Sequence, residues 1–298
     1  MFKNILVPLD GSNLSEASLT PTAYLAKTLK SQVTLLHIIE KDAPAEIHKE
    51  RHLTEPEEAD AYLKEAAKRA FSKKFKVETH VHTTAVSNVA RSIVDHSSEL
   101  KPDLIVICAN GRSGVHDFLY GTIAQQVVAM GTIPLLVVKT KISSFELKKI
   151  LIPLDPDSMH DNSLSVAERF AKSFKADLLL MSIVPTLSTL GGEQAAASNL
   201  LPVTTKAFLD LKVENAKKDL QTHIDAFHKS HLKATAEVAR GDPASVIVKT
   251  AKKSGADIII LSTHRRAGMA AFWARSVAPH VAQKTKIPLL LIPLSQEM

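Results

Sequence analysis

The chain of 298 residues has a single cysteine, few aromatic residues (5%) and only ten glycines. One cysteine, Cys108, excludes an intrachain disulfide and is typical of a reducing compartment. With so few aromatics, the core has to be built from Ile, Leu, Val and Ala. No apolar run approaches the ~18 residues that a membrane-spanning helix needs, and the N-terminus lacks the pattern of a signal peptide. A disulfide-stapled miniprotein and a collagen are therefore excluded, and we expect a cytoplasmic protein without a membrane partner.

The excess of positive charge is small and dispersed. The 37 basic and 31 acidic residues give a net charge of +6. The basic residues occur as short pairs, such as Lys73-Lys74 and Lys217-Lys218, rather than in one tail. A nucleic-acid-binding domain concentrates its excess on one face or along one segment. Scattered pairs are typical of solvated helix faces, so we expect no nucleic-acid partner.

The chain contains a long internal repeat. The segment Asp103–Ile107 recurs as Asp257–Leu261, and Ile133–Leu136 recurs as Ile287–Leu290, both at an offset of 154 residues. Over the 38 positions that begin at Asp103, eleven are identical at this offset. A period near 150 residues is too long for a solenoid repeat. The sequence therefore predicts two copies of one whole domain.

The beginnings of the two copies are also alike. Ile5–Asp10 corresponds to Ile150–Asp155 at an offset of 145. The difference of nine residues between the two offsets (154 − 145) predicts an insertion in the second copy. The expected place is the Ala- and Ser-rich stretch 191–199, as a mobile loop. We expect one domain at residues 1–142 and the other at residues 147–298. The polar stretch 139–148 is the expected linker between them.

Each copy alternates short apolar runs with helical patterns. Ile5–Leu9 and Val33–Ile39 are typical of strands covered on both faces, whereas the alternation in Val77–Thr83 predicts an edge strand. One helix is predicted to begin at Pro56, and another at Pro243, directly after the N-capping Asp242. Strands that alternate with helices indicate a parallel sheet with right-handed crossovers. The predicted fold is α/β, with two tandem doubly wound domains that each contain a five-stranded parallel sheet.

A ligand crevice is expected at the carboxyl ends of strands one and four, where the strand order of such a sheet reverses. Strand one of the first half is followed by Asp10, whose carboxylate can accept ribose hydroxyls or hold a hydrated Mg²⁺. Its alternative role is to cap the next helix. Strand four is followed by Gly111 and Arg112, and Gly121-Thr122 opens a helix, whose N-terminus favours phosphate oxygens. The alternative for these glycines is an ordinary turn.

Several nucleotide and catalytic motifs are absent from the sequence. There is no Gly-Lys-Ser/Thr of a P-loop, and the first strand-helix turn is Asp-Gly-Ser-Asn instead of a dinucleotide glycine fingerprint. No Gly-x-Ser-x-Gly nucleophile elbow occurs either. The absence of the glycine fingerprint argues against NAD or FAD.

These residues resemble the universal stress protein family in its tandem two-domain form. The resemblance covers both halves and rests on the start Pro8-Leu9-Asp10, the second strand Leu35–Ile38, and a long phosphate-loop motif. The motif is Gly111, nine residues, then Gly121-Thr122. The resemblance implies an adenine nucleotide alpha hydrolase-like (Rossmann-like) sheet, cytoplasmic location and, in one branch, ATP binding.

The family also implies roles for particular residues. Pro8, Asp10 and Ile38 are expected around adenine and ribose. The phosphates are expected to contact Gly111, Arg112, Gly121, Thr122 and Ile123. Family members pair their domains through the last strands, which predicts an edge-to-edge contact near Val137 and Leu291.

The sequence departs from the family pattern at several positions. Cys108 stands at the first glycine of the motif, and Asn110 replaces a histidine common in the family. In the second half the motif is lost, because at the offset of 154 the positions of Gly111 and Gly121 hold Arg265 and Arg275. The second half is therefore predicted to be a degenerate copy whose role is to pair with the first.

Two functions from different classes follow. The first is a regulatory module of a stress response that holds ATP and Mg²⁺ in its N-terminal half. The second is a structural or interaction protein without nucleotide, acting through an unknown protein partner or as a homodimer. A slow ATPase is a weaker third option, because no residue stands out as a general base and no catalytic residue is assigned.

Histidines and the cysteine offer further chemistry. His48 and His52 are four residues apart, and His80 and His82 share one face of a strand, spacings that can bind zinc. Because the spacing fixes no cysteine or carboxylate partner, the sequence favours surface histidines over a metal site. A buried thiol is likewise favoured over a redox-sensitive one at Cys108.

Overall fold

The computed structural model describes residues 1–109, 122–139, 144–154, 162–263 and 277–294. The strands of the first repeat are β1 Asn4–Pro8, β2 Gln32–Glu40, β3 Glu46–Ile47, β4 Glu50–Arg51, β5 Val77–Val86, β6 Leu104–Cys108 and β7 Leu135–Val138. Its helices are α1 Asn13–Glu16, α2 Leu19–Leu29, α3 Pro56–Ala70, α4 Val89–Leu100 and α5 Thr122–Met130.

The second repeat has the same alternation of five sheet strands with helices, with a longer connection after its second strand. Its strands are β8 Lys149–Leu154, β9 Asp177–Val184, β10 Ala234–Arg240, β11 Ile258–Thr263 and β12 Leu289–Pro293. Its helices are α6 Asn162–Phe174, α7 Gly192–Leu200, α8 Pro202–Lys229, α9 Pro243–Ser254 and α10 Val277–Lys284, and a 3-10 turn lies at Leu187–Thr189. The α/β alternation predicted for both halves is confirmed.

The first compact unit comprises residues 1–146, 263–279 and 288–298. Its sheet has the strand order β5-β2-β1-β6-β7-β12. The strands β5, β2, β1, β6 and β7 run parallel. Strand β1 lies between β2 and β6, so the chain winds outward in both directions from β1. This doubly wound order confirms the predicted reversal point between the first and fourth strands of the copy.

Local sequence explains the elements of this unit. Ile5, Leu6 and Val7 of β1 are fully buried because helices cover both faces of the sheet. Helix α4 begins where the Asn88 side chain accepts a hydrogen bond from the Arg91 N–H at 2.8 Å. Helix α3 begins with Pro56, whose missing N–H costs nothing in a first turn. The start at Pro56 is the one that the sequence predicts.

The last strand of the chain belongs to this first unit. Strand β12 pairs antiparallel with β7, with Leu290 opposite Leu136 and Leu291 opposite Leu135. Val137 faces Leu289 in the same ladder. These residues are at most 2% exposed. The predicted pairing of the last strands is therefore confirmed, and it covers an apolar edge that would otherwise be open to other chains.

The second compact unit comprises residues 147–262 and 280–287. Its strands have the order β10-β9-β8-β11. Strand β8 lies between β9 and β11, and each pair of neighbouring strands is parallel. Helix α9 starts where Asp242 accepts the Ser245 N–H at 3.0 Å, as predicted. Among the described residues no helix is long and apolar enough to cross a bilayer.

The predicted insertion in the second repeat is helical. The expectation of a mobile loop at residues 191–199 is wrong, because helix α7 spans Gly192–Leu200. Three consecutive alanines occupy positions 195–197, and alanine has the highest helix propensity of all residues. Gly192 is the first residue of the helix, so neither glycine of the pair interrupts it.

Candidate functional site

Asp10 follows β1 at the carboxyl edge of the sheet. Its Oδ1 accepts hydrogen bonds from the Ser12 N–H at 2.9 Å and from the Ser12 hydroxyl at 2.6 Å. The Ser12 hydroxyl in turn accepts the Ser15 N–H at 3.2 Å and caps α1. Helix capping is thus performed by Ser12, and Asp10 orients it. The second carboxylate oxygen of Asp10 is not engaged by this turn, and the side chain is 30% exposed.

Three ionisable groups share this edge of the sheet. Cys108 ends β6 and Lys139 follows β7, the next parallel strand, in which Val138 lies opposite Cys108. Burial is the main cause that raises the pKa of the Cys108 thiol, to about 12. The charge of Lys139 partly opposes this rise, and the negative charge of Asp10 adds to it. Burial also lowers the pKa of Lys139. This edge therefore brings together the carboxylate of Asp10, the thiol of Cys108 and the amine of Lys139.

The raised pKa of Cys108 predicts a slow, steadily pH-dependent thiol. The thiolate is the nucleophile, so the alkylation rate follows the fraction of thiol that is ionised. Below the folded pKa this fraction rises about tenfold per pH unit. We expect the rate of iodoacetamide alkylation to keep rising from about pH 7 to about pH 10, without the plateau that an ordinary thiol with pKa ~8.5 shows. Mass spectrometry of the intact chain gives the rate. A plateau below about pH 9 would show an activated thiol instead.

A short segment, Glu46–Leu53, lies against the same end of β1 and is called the covering segment below. It contains the hairpin of β3 and β4. Glu50 accepts hydrogen bonds from the Asn13 N–H, at 2.6 Å, and from the Asn13 side-chain amide. The Nε2 atom of His48 is 3.7 Å from Asp10 Oδ2. The covering segment is therefore attached to the turn that carries Asp10.

Gly11 shows how closely the covering segment packs. Its φ of +92° is in the region that favours glycine, and a Cβ at this position would lie 2.8 Å from the Cδ1 atom of Leu53. His37 adds a second link, with Nδ1 at 2.8 Å from the Leu9 carbonyl oxygen and Nε2 at 3.1 Å from the Leu53 carbonyl oxygen. This imidazole is buried between the end of β1 and the covering segment.

The structure brings part of the predicted site together. Pro8 pairs with Leu36 of β2, and Ile38 is buried two residues further along β2. Asp10 follows Pro8 at the same edge of the sheet. Thr122 and Ile123 are the first two residues of α5. Gly111, Arg112 and Gly121 lie outside the described residues, as do Asn110 and the positions Asp155, Arg265 and Arg275 of the second half.

Sequence reasoning missed the covering segment. No element is predicted between the second strand and the helix that begins at Pro56, and His48 and His52 are expected at the surface. His48 is exposed, as expected, and its ring faces Asp10. The expectation for His52 is wrong, because this residue is buried, with Nε2 at 3.9 Å from a carboxylate oxygen of Glu40. A hairpin of two-residue strands has too little periodicity to be found in a sequence.

The model of the universal stress protein family matches residues 1–139 and again residues 146–293. A universal stress protein of Synechocystis, Sll1654, is 32% identical over 138 residues, which cover 46% of this chain and 86% of that protein. Similarity to this protein therefore concerns about half of the chain, the length of one repeat.

Solved structures resemble the whole chain. A universal stress protein from Archaeoglobus fulgidus covers 99% of this chain and 97% of its own, with a TM-score of 0.65 and 14% identity. At this identity the likeness shows the fold alone. Another universal stress protein from Archaeoglobus fulgidus, solved in complex with dAMP, covers 50% of this chain and 98% of its own at 16% identity. Its TM-score of 0.34 is too low to support an inference about a ligand here.

Proposed function

Because the chain belongs to the universal stress protein family, with one match in each half, we propose that it is a cytoplasmic regulatory protein that binds one ATP, with Mg²⁺, in its N-terminal half. Its role is stress-responsive regulation through binding rather than through turnover. The conclusion for the nucleotide depends on one observation, the carboxylate of Asp10 at the reversal point between β1 and β6.

The geometry of Asp10 supports a ribose contact. Ser12 occupies Oδ1, whereas His48 lies 3.7 Å from Oδ2, which is longer than a hydrogen bond. A carboxylate oxygen can accept two hydrogen bonds, so Oδ2 retains the capacity to accept ribose hydroxyls. The Ser12 contacts fix the orientation of the carboxylate before a ligand arrives, which reduces the entropy lost on binding.

The position of α5 supports the phosphate contacts. The Gly111-to-Gly121 motif connects the end of β6 to Thr122, the first residue of this nine-residue helix. A helix N-terminus presents free N–H groups and partial positive charge to anions. Lys139, at the same edge as Cys108, adds a cation. Mg²⁺ bound to the phosphates would be held by their oxygens and by water, with Asp10 as the nearby carboxylate.

Substitution of Asp10 tests the site directly. We expect Asp10→Ala to weaken ATP binding by about 10- to 100-fold, the cost of about 1.5–3 kcal/mol for losing hydrogen bonds to a charged group. Asp10→Asn, which keeps an acceptor for Ser12, should weaken binding with no change in thermal unfolding. Isothermal titration calorimetry of the full chain with Mg-ATP gives both the affinity and the stoichiometry.

The second repeat offers a matched control. Asp155 stands at the position of Asp10 in the degenerate half, so Asp155→Ala should leave the ATP affinity unchanged and the stoichiometry at one per chain. Equal losses from Asp10→Ala and Asp155→Ala, or two ATP per wild-type chain, would show that the second half binds nucleotide as well.

An interaction protein without nucleotide is the second candidate, and one observation favours it. The start of α8 carries exposed apolar side chains at Leu201, Val203, Phe208 and Leu211, and clustered exposed apolar residues often mark a protein contact. Under this alternative, denaturing the purified protein releases no nucleotide. The double substitution Val203→Glu and Leu211→Glu would then change its oligomeric state, as seen by sedimentation velocity, with Mg-ATP having no effect.

A further inference from the structure

A cluster of imidazoles lies in the first unit on β5 and α4. His80 and His82 are two residues apart on β5 and therefore point to the same face of the sheet. The ring of His96, on α4, is 5.1 Å from the ring of His80 and 4.9 Å from the ring of His82, measured between centroids. Glu99 follows His96 by three residues and lies on the same side of α4. The fold thus supplies the carboxylate partner that spacing along the sequence does not reveal.

We propose that His80, His96 and Glu99 bind a Zn²⁺ ion between β5 and α4. One ligand atom from each of these residues lies within 4.8 Å of the other two. Ligand atoms around a tetrahedral zinc are about 3.3 Å apart when the bonds are about 2.0–2.1 Å. Small side-chain rotations would therefore be enough to bring the three atoms onto one ion.

The tautomer of His96 fits this role. Its Nδ1 lies 2.7 Å from the carbonyl oxygen of Ser92, so Nδ1 carries the proton and donates it to that oxygen. The lone pair of neutral His96 is then on Nε2. Zinc-binding histidines characteristically donate their other N–H to a carbonyl or carboxylate, which fixes the ring. His96 is buried, so its ring is held in place before an ion arrives.

The ligand types select the metal. Two imidazoles and one carboxylate are a ligand set that zinc accepts with water or a further group in the fourth position. Mg²⁺ and Ca²⁺ prefer all-oxygen sites. His82, whose ring packs on His96, is the nearest imidazole for the fourth position. The ion would join β5, which pairs with β2 at one end of the strand order, to the helix that follows it.

The test uses the full chain without an affinity tag, treated with EDTA and exchanged into metal-free buffer without nucleotide. Titration with ZnCl₂ should show one strong site per chain, and zinc should raise the midpoint of thermal unfolding by roughly 5 °C at saturating concentration. Co²⁺ should give the visible absorption of a tetrahedral nitrogen and oxygen site. Mg²⁺ should give neither signal.

The variants separate ligands from other groups. Glu99→Gln changes an exposed side chain and should fold normally while weakening zinc binding at least tenfold, and His80→Asn should do the same. His96→Asn should weaken zinc binding further. Because His96 is buried, this substitution can also lower the stability of the fold. The controls are Glu78→Gln, on the same strand, and His231→Asn, an exposed histidine in the second unit. Both controls should bind zinc as the wild type does.

Two outcomes would overturn the proposal. Wild-type protein that binds no zinc at micromolar concentration would exclude the site. Zinc affinity and cobalt spectra that are unchanged in both Glu99→Gln and His80→Asn would show that the ion binds to other histidines. Because Glu99→Gln leaves all three imidazoles in place, misfolding of the His96 variant does not affect this conclusion.

Discussion

Replacing Gly121 by arginine should abolish ATP binding while leaving the fold intact. Gly121 immediately precedes Thr122, where α5 begins, and phosphate oxygens would have to approach the backbone there. If the proposed site is correct, a side chain at this position would occupy the space that the phosphates need. The expected loss of affinity is at least about 100-fold, equivalent to about 2.8 kcal/mol, in calorimetric titration of the full chain with Mg-ATP.

The second repeat explains why the fold should survive. Arg275 occupies the corresponding position, and helix α10 begins two residues later, at Val277. An arginine at this point is therefore compatible with the start of the helix. The positive charge of the new arginine would attract phosphate, whereas its bulk would exclude it. The bulk lowers the ATP affinity and the charge raises it, so the sign of the change in affinity shows which effect is larger. Tighter binding in Gly121→Arg would show that the arginines of the second half serve as phosphate ligands.

Gly191→Arg is the matched control, because Gly191 is exposed and a Cβ there would contact nothing within 4 Å. It adds the same charge far along the sequence from the motif and should leave the heats unchanged. Equal heats from wild type and Gly121→Arg would reject the phosphate site. If the wild type itself gives no heat, the interaction protein without nucleotide becomes the better account.

Much of the fold is predictable because periodicity and repetition act together. The apolar runs that become β1, β2 and β6 are buried on both faces, so their sequence shows no alternation and is easily recognised. The right-handedness of parallel crossovers determines on which face of the sheet each connecting helix packs. The pairing of β7 with β12 could also be inferred, since the apolar fifth strand of each copy needs a covered edge.

The candidate site was predictable only where a residue follows a strand. Asp10 was found because strand ends are recognisable and ligands bind at their carboxyl side. The covering segment was not found, because its strands have only two residues each and its contacts, such as Glu50 with Asn13, join positions 37 residues apart. Likewise, His96 and Glu99 lie on a helix whose approach to β5 depends on tertiary packing, so the carboxylate partner of His80 could not be read from spacing.

Replacing Leu290 by aspartate should greatly destabilise the protein. Leu290 is fully buried and forms the middle pair of the ladder between β12 and β7, opposite Leu136. The substitution removes a large apolar side chain and puts a carboxylate where the opposite residue in the ladder is apolar. The free energy of unfolding should fall by at least about 4 kcal/mol, which approaches the total stability of many domains, about 5–15 kcal/mol. We expect insoluble protein or a greatly lowered urea midpoint by circular dichroism.

Leu211→Asp provides the comparison, because it makes the same chemical change at a leucine that is 57% exposed on α8. Its unfolding free energy should stay within about 0.5 kcal/mol of the wild type. Leu136→Asp should be as damaging as Leu290→Asp, because both residues belong to the same pair of the antiparallel ladder. If Leu290→Asp unfolds at the same urea concentration as Leu211→Asp, the last strand is not held against β7. The first unit must then be stable without the contribution of the second sequence repeat.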